Sequence, residues 1–265
     1  MSIIVSAYFQ IPSKQPHSFY LPQVSRFLQN IKNPIIFFTT PDLKTDFELI
    51  RGDLPIHFIE INSIYDIHAF TKYGYEFWVN QCKLDVEKYH TPELAAIWYE
   101  KKEFVKKAIH FVETLMKNDI NNTNNTNNTN KYNLNTSMPF IWCDAGCIRT
   151  DHWIPEIYTF GNKIDLIPKD KIMFQLLHTL PHKQFFVFPD VYIAGAIICG
   201  YKDSWINYSD LYDDMITIYV NNNICVNSDQ YIWASVSLAY PDKFEVCNVK
   251  YNTVENWFFF LSYLS

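Results

Sequence analysis

The chain has 265 residues and a formal net charge of −6, with 48% apolar and 19% charged residues. This composition is globular, and the length suits one hydrophobic core or a little more. No run of Lys or Arg forms a stripe, so the surface lacks the phosphate-neutralising charge that supplies most nucleic-acid affinity, and that partner is excluded. A phosphorylated small molecule is still accommodated, through a few placed cations, backbone N–H groups or a metal.

Residues 2–9 (SIIVSAYF) form an apolar, β-rich run that predicts a central parallel strand. Residues 17–31 follow with Phe19, Val24, Phe27, Leu28 and Ile31 at helical spacing. PIIFFTT (34–40) and IHFIEI (56–61) predict two more strands, with a short helix over 42–51 between them. Strand, helix, strand, helix, strand is the signature of a doubly wound sheet. Residues 91–116 predict a long helix, opened by Thr91 as N-cap, Pro92 at its first position and Glu93 next. The Asn/Thr tract at about 119–137 is low-complexity and reads as a surface insertion in a single domain spanning 1–265. Codon bias in a viral or AT-rich genome explains it, and its N-x-T triplets go unused without export.

MPFIWCDAG (138–146) predicts a strand ending in an acidic residue and a glycine. VFPDVYIAGAIICG (187–200) is a further apolar segment with small residues in its middle. Residues 203–220 and 229–239 read as helices, FEVCNV (244–249) as a last strand, and WFFFLSYLS as an apolar end that packs back on the sheet. No segment reaches the ~20 apolar residues of a spanning helix. MSIIVSAYF lacks the basic n-region of a signal peptide. Six cysteines without a CxxC pair point to buried free thiols and a reducing compartment, so a cytosolic location is expected.

In open α/β sheets, ligands sit beyond the carboxyl ends of the strands. Those ends here are Ala7-Tyr8, Thr39-Thr40 and Asp144-Ala145-Gly146. With six glycines in the chain and no GxGxxG or GxxxxGK[ST], the usual dinucleotide and P-loop readings fail. Asp144 is the sharpest feature: a carboxylate after FIWC, followed by small residues, leaves room for a hard cation and a diphosphate. Turn capping, or pairing with Arg149, is the structural alternative. Cys143-x3-Cys147 with His152 nearby lacks the four ligands of a zinc site.

Trp98-x-x-Lys101, FIWCDAGCIR, YIAGAIICG followed by Trp205, and SDQYIW resemble the HtrL/YibB family of glycosyltransferase-like proteins. The motifs stand in the family's order, from residue 2 to roughly 250. Through that family the chain is similar to GT-A glycosyltransferases, including glycogenin-like and lipopolysaccharide galactosyltransferase groups. The resemblance implies a GT-A-like α/β domain, with a Rossmann-like, mostly parallel central sheet flanked by helices. It also implies a nucleotide-sugar donor, a glycan or protein acceptor, and Mn²⁺ or Mg²⁺ as cofactor. Asp144 would be the metal-motif acid, although Gly146 stands where D-x-D has its second Asp.

By the same resemblance, Ala7, Tyr8, Thr39 and Thr40 cradle the nucleoside, Lys101 and Arg149 meet the diphosphate, and Gly195 lets the sugar approach the backbone. Asp229 and Gln230 face the donor sugar, with Asp229 the candidate base. The bland alternatives are a core Tyr8, a solvated Lys101 in a lysine-rich helix, a Gly195 for helix packing, and an Asp229 that only caps its helix. Two other function classes compete: a non-catalytic nucleotide- or carbohydrate-binding protein on the same fold, and a hydrolase using Cys143 or Cys147 with a histidine.

Overall fold

The computed structural model describes residues 1–13, 15–121, 132–180, 191–248 and 256–265. Most of the Asn/Thr tract, the start of the 187–200 segment and Val249 therefore lie outside the described residues. One seven-stranded sheet organises the chain, with strands β1 (Ile3–Ala7), β2 (Ile35–Thr39), β3 (Ile56–Glu60), β4 (Phe140–Cys143), β5 (Ile172–Leu176), β6 (Ile193–Gly200) and β7 (Phe244–Cys247). Their order across the sheet is β3-β2-β1-β4-β6-β5-β7. β3, β2, β1 and β4 run parallel, β6 is antiparallel to both β4 and β5, and β7 pairs parallel with β5. The expected α/β class with a mostly parallel central sheet is met.

The helices are α1 (His17–Asn30), α2 (Pro41–Arg51), α3 (His68–Tyr73), α4 (Tyr75–Leu84), α5 (Pro92–Asn121), α6 (Ile154–Ile157), α7 (Lys202–Asn221), α8 (Asp229–Ala239) and α9 (Phe259–Tyr263). Strand side chains alternate faces with period two, which divides the core into two layers. Ile3, Val5, Phe38, Trp142 and Phe174 pack with α3, α4, α5, α7 and α8. Ile4, Phe37, Ile141 and Met173 pack with α1, α2, α6 and α9. The apolar C-terminal segment thus covers the second face, as its composition predicts.

α5 begins as its sequence dictates: Thr91 Oγ1 accepts from Leu94 N at 3.3 Å, with Pro92 at the position where a missing N–H costs nothing. The expected elements lie within a few residues of the observed ones, but β5, α3, α4 and α6 carry no prediction from sequence. After β1 the chain winds through α1 to β2 and onward to β3 on one side. It then returns across the other face through α5 to β4. The carboxyl ends of β1 and β4 therefore flank the point where winding reverses, the place where open α/β sheets bind ligands.

Candidate active site

Four separate segments converge beyond β4. Asp144 follows that strand directly, and its backbone N–H donates to Ala196 O at 2.8 Å, holding the turn against β6. Lys101 projects from α5, and its Nζ lies 3.1 Å from Asp144 Oδ1, 2.9 Å from Asp229 Oδ2 and 2.9 Å from the Gly195 carbonyl oxygen. Trp142, at the end of β4, donates its indole N–H to Asp144 Oδ1 at 2.7 Å. Lys101 and Asp229 are each only 3% exposed, whereas the Asp144 side chain keeps 35% of its surface open. Asp144 is thus the face of the cluster, and the other two stand behind it.

A buried lysine survives only with its charge compensated. Burial acts to lower the Lys101 pKa, yet Asp144 and Asp229 outweigh it and raise it above the ordinary 10.5. Burial also pushes Asp229 up from 3.8, and the like charge of Asp144 adds to this against the pull of Lys101. A lysine held charged more firmly in the folded state contributes stability that is complete below pH 10.5 and is lost as pH rises through its higher folded value. Melting temperature should therefore fall above that pH more steeply in the wild type than in Lys101→Met, as read by calorimetry across an alkaline series.

Gly195 has a definite role in this packing. A Cβ there would stand 2.8 Å from Asp229 Oδ2 and 3.0 Å from Gln230 Cγ. The group that approaches this backbone is the Asp229 carboxylate, brought by α8, where the resemblance placed a sugar. Gly195→Ala should cost about 1–3 kcal/mol through overpacking and should draw Asp229 off Lys101. Urea denaturation measures the first effect. Gln230 donates from Nε2 to Ile193 O at 3.0 Å, fastening α8 to the start of β6.

Several other expectations resolve once burial is known. Lys101 is no solvated helix residue, although three lysines follow it closely. Asp229 is the first residue of α8, not its cap: Ser228 holds the cap position, and the carboxylate turns to Lys101. Thr39 is fully buried and donates its hydroxyl to Tyr8 O at 2.9 Å, which ties β2 to the end of β1. Tyr8 is half-buried, with its edge on Phe47 and its hydroxyl 2.7 Å from His17 Nδ1. Thr40 is partly open at the N-cap of α2, without a side-chain capping bond, and Ala7 closes β1 beside Phe38. Arg149 is exposed, with its guanidinium 4.8 Å from the centre of the Phe258 ring. It does not hold Asp144; Lys101 and Trp142 do.

Sequence reasoning assigned no role to Trp142, although it lies in the FIWCDAGCIR segment just before Asp144. A cluster beside the N-terminus of α8 also went unnoticed: His90 Nδ1 lies 2.8 Å from Asp85 Oδ2 and 3.3 Å from Asn227 Nδ2. Asn227 stands 137 positions from His90, so no local signal links it to the other two. Cys143 and Cys147 face each other with Sγ atoms 3.4 Å apart and are fully buried. Burial raises the Cys143 pKa well above its ordinary value, and neither thiol has a histidine partner among the described residues. A thiolate nucleophile at this position has no physical support.

The residues present do not fit the divalent ion expected at Asp144. The oxygens there surround Lys101 Nζ at 2.9–3.4 Å, spacing suited to an ammonium, against the ~2.0–2.6 Å that Mg²⁺ or Ca²⁺ takes. Gly146 offers no side-chain ligand. Among the described residues, no three His, Cys, Asp or Glu side chains gather as a metal centre needs. No helix among them is long and apolar enough to cross a membrane.

Fold and site together define an α/β protein with a buried lysine–dicarboxylate cluster at the switch point of its sheet. The family described as "Bacterial protein of unknown function (HtrL_YibB)" matches residues 4–262, and the chain belongs to it. It is 26% identical over 243 residues to "Protein HtrL" of Escherichia coli (strain K12), covering 87% of this chain and 76% of that protein. Among solved structures it is similar to mouse xyloside xylosyltransferase 1 in its apo form, at 8% identity and TM-score 0.49, covering 93% of this chain and 84% of that one. It is also similar to a 4-diphosphocytidyl-2C-methyl-D-erythritol synthase from Anaerococcus prevotii, at 13% identity and TM-score 0.30, covering 99% and 98%.

Proposed function

We propose that the chain is a glycosyltransferase that moves a sugar from a nucleotide-sugar donor to a hydroxyl of a glycan or protein. The observation that carries this reading is the convergence of Lys101, Asp144, Asp229 and Gly195 beyond β4, from segments that share no local sequence. The cluster lies where open α/β sheets bind ligands, and Asp144 is its one open carboxylate. A carboxylate held by two donors and left partly open to solvent suits sugar hydroxyls, which need fixed acceptors to be oriented. The motif resemblance adds the donor class. One sheet built from strands between residues 3 and 247 supports a single catalytic domain, and six free cysteines support a reducing compartment.

Lys101 already balances two carboxylates, so it has little charge left for a phosphate. Arg149 is exposed and pairs with no carboxylate among the described residues, and we assign it to the diphosphate. Tyr8 and Thr40, at the ends of β1 and β2, border the nucleoside. In the reaction an acceptor oxygen bonds to the anomeric carbon as the bond to the diphosphate breaks. The acceptor proton passes to a base, and the nucleoside diphosphate leaves with the bond electrons. Asp229 is too enclosed to meet an acceptor, so we give it the task of holding Lys101 and Asp144 in position.

A thermal-shift panel of UDP-, GDP-, ADP- and dTDP-sugars tests this reading. One nucleotide should raise Tm, the shift should vanish in Asp144→Ala, and free nucleoside diphosphate should accumulate with acceptor present. Arg149→Gln should weaken that nucleotide's binding about tenfold while leaving the ligand-free Tm within a degree or so, because it removes only one exposed charge-assisted contact. The absence of a shift for every nucleotide would sink the donor-site reading. Saturable binding without turnover would favour the non-catalytic alternative, for which the glycine at position 146 speaks.

A further inference from the structure

Lys101 stands where a bridging cation belongs, and its surroundings keep it there. We propose that the Lys101 ammonium is the built-in cation of this site, so that donor binding needs no divalent metal; the donor part of this rests on the function proposed above. Four oxygens from three segments point at Nζ: Asp144 Oδ1 at 3.1 Å and Oδ2 at 3.4 Å, Asp229 Oδ2 at 2.9 Å and Gly195 O at 2.9 Å. Two carboxylates and a carbonyl are the oxygen set that a hard metal ion selects. Here a one-plus charge on a covalent tether fills their centre.

Helix α5 is held against the rotation that would withdraw Lys101 from the cluster. The neighbours of Lys101 on α5 are buried charged residues, each tied in a different direction. Glu100 accepts from the backbone N–H groups of His68 and Ala69 at 3.0 and 2.7 Å. Lys102 pairs with Asp213 at 3.1 Å and with Glu103 at 2.6 Å. Rotating α5 to withdraw Lys101 would break all of these contacts. Asp229 is equally confined, because its carboxylate fills the space that a side chain at Gly195 would need. The cluster sums to one negative charge, so it orients hydroxyls and leaves the phosphates to Arg149.

Electron paramagnetic resonance of Mn²⁺ tests the proposal independently of any activity. The purified full-length wild type should leave the free Mn²⁺ signal undiminished. Lys101→Met should take up Mn²⁺ at least about tenfold more tightly, because the buried Asp229 and the partly open Asp144 then lack a counter-charge. Its Tm should rise with added Mn²⁺, whereas the wild-type Tm should not. Stoichiometric Mn²⁺ uptake by the wild type, lost in Asp144→Asn, would overturn the proposal. So would a folded Lys101→Met that ignores Mn²⁺, since the ammonium would then not be holding a cation's place. If Lys101→Met does not fold, Lys101→Gln undergoes the same titration, and the wild-type measurement stands regardless. Any nucleotide-induced Tm shift in the wild type should also be the same in EDTA as in Mn²⁺. Failure of every nucleotide to bind sinks the donor reading and leaves the Mn²⁺ outcome legible.

Discussion

Lys101→Met should lower the free energy of unfolding by about 3–5 kcal/mol, the largest stability loss expected from any single change at this site. The methionine keeps most of the apolar stem, so the loss measures charge and hydrogen bonding more than volume. What remains is Asp229, 3% exposed and wedged against Gly195, with Asp144 beside it and no cation between them. Two like charges in that enclosure cannot both stay ionised, and one should take up a proton. The variant should therefore be most destabilised at neutral and higher pH and should recover in part as pH falls. Urea denaturation at pH 7 and pH 5 measures both effects. An unchanged midpoint at pH 7 would mean that water reaches the cluster freely and that the ion pairs contribute little.

Asp144 should behave in the opposite way. Asp144→Ala should reduce sugar transfer by roughly a hundredfold or more, because a misplaced reacting group costs about that much. Its effect on folding should be small. The side chain is 35% open to solvent, and its removal leaves Lys101 and Asp229 as a balanced one-to-one pair. Relief of the surplus negative charge offsets the lost contacts with Lys101 and Trp142. Comparing kcat with Tm across Asp144→Ala and Lys101→Met should separate a residue that faces substrate from one that supports the site. A large Tm loss in Asp144→Ala would contradict that division of labour.

The two expected outcomes follow from burial, and burial is what the primary structure conveys least. Asp144 stands out in sequence because a carboxylate at the end of FIWC, followed by Ala145 and Gly146, breaks an apolar run abruptly. Asp229 and Gln230 stand out through their place at a helix start. Lys101 stands out only through the Trp98-x-x-Lys101 resemblance, not through its own surroundings. It shares a lysine-rich stretch with Lys102, Lys106 and Lys107, and the helical period alone cannot say which of them turns inward. In the structure both Lys101 and Lys102 do, toward different partners.

Apolar period, strand-end chemistry and helix caps define most of the framework within the chain itself. β1, β2 and β4 are apolar runs bounded by polar breaks, and α5 starts at Thr91-Pro92 because capping and a fixed φ both act over one turn. These are short-range effects, so a reading of neighbours captures them. β5 escaped because IMFQL (172–176) is too short to separate strand from helix by period alone. Its place beside an antiparallel β6 depends on pairings between distant segments. The site has the same origin. Residues 101, 144, 195 and 229 meet because α5 crosses one face of the sheet, β6 starts beside the end of β4, and α7 returns the chain so that α8 begins there too. Only the folded chain selects which oxygens surround the ammonium, since the energies that decide it are desolvation and charge compensation across long loops.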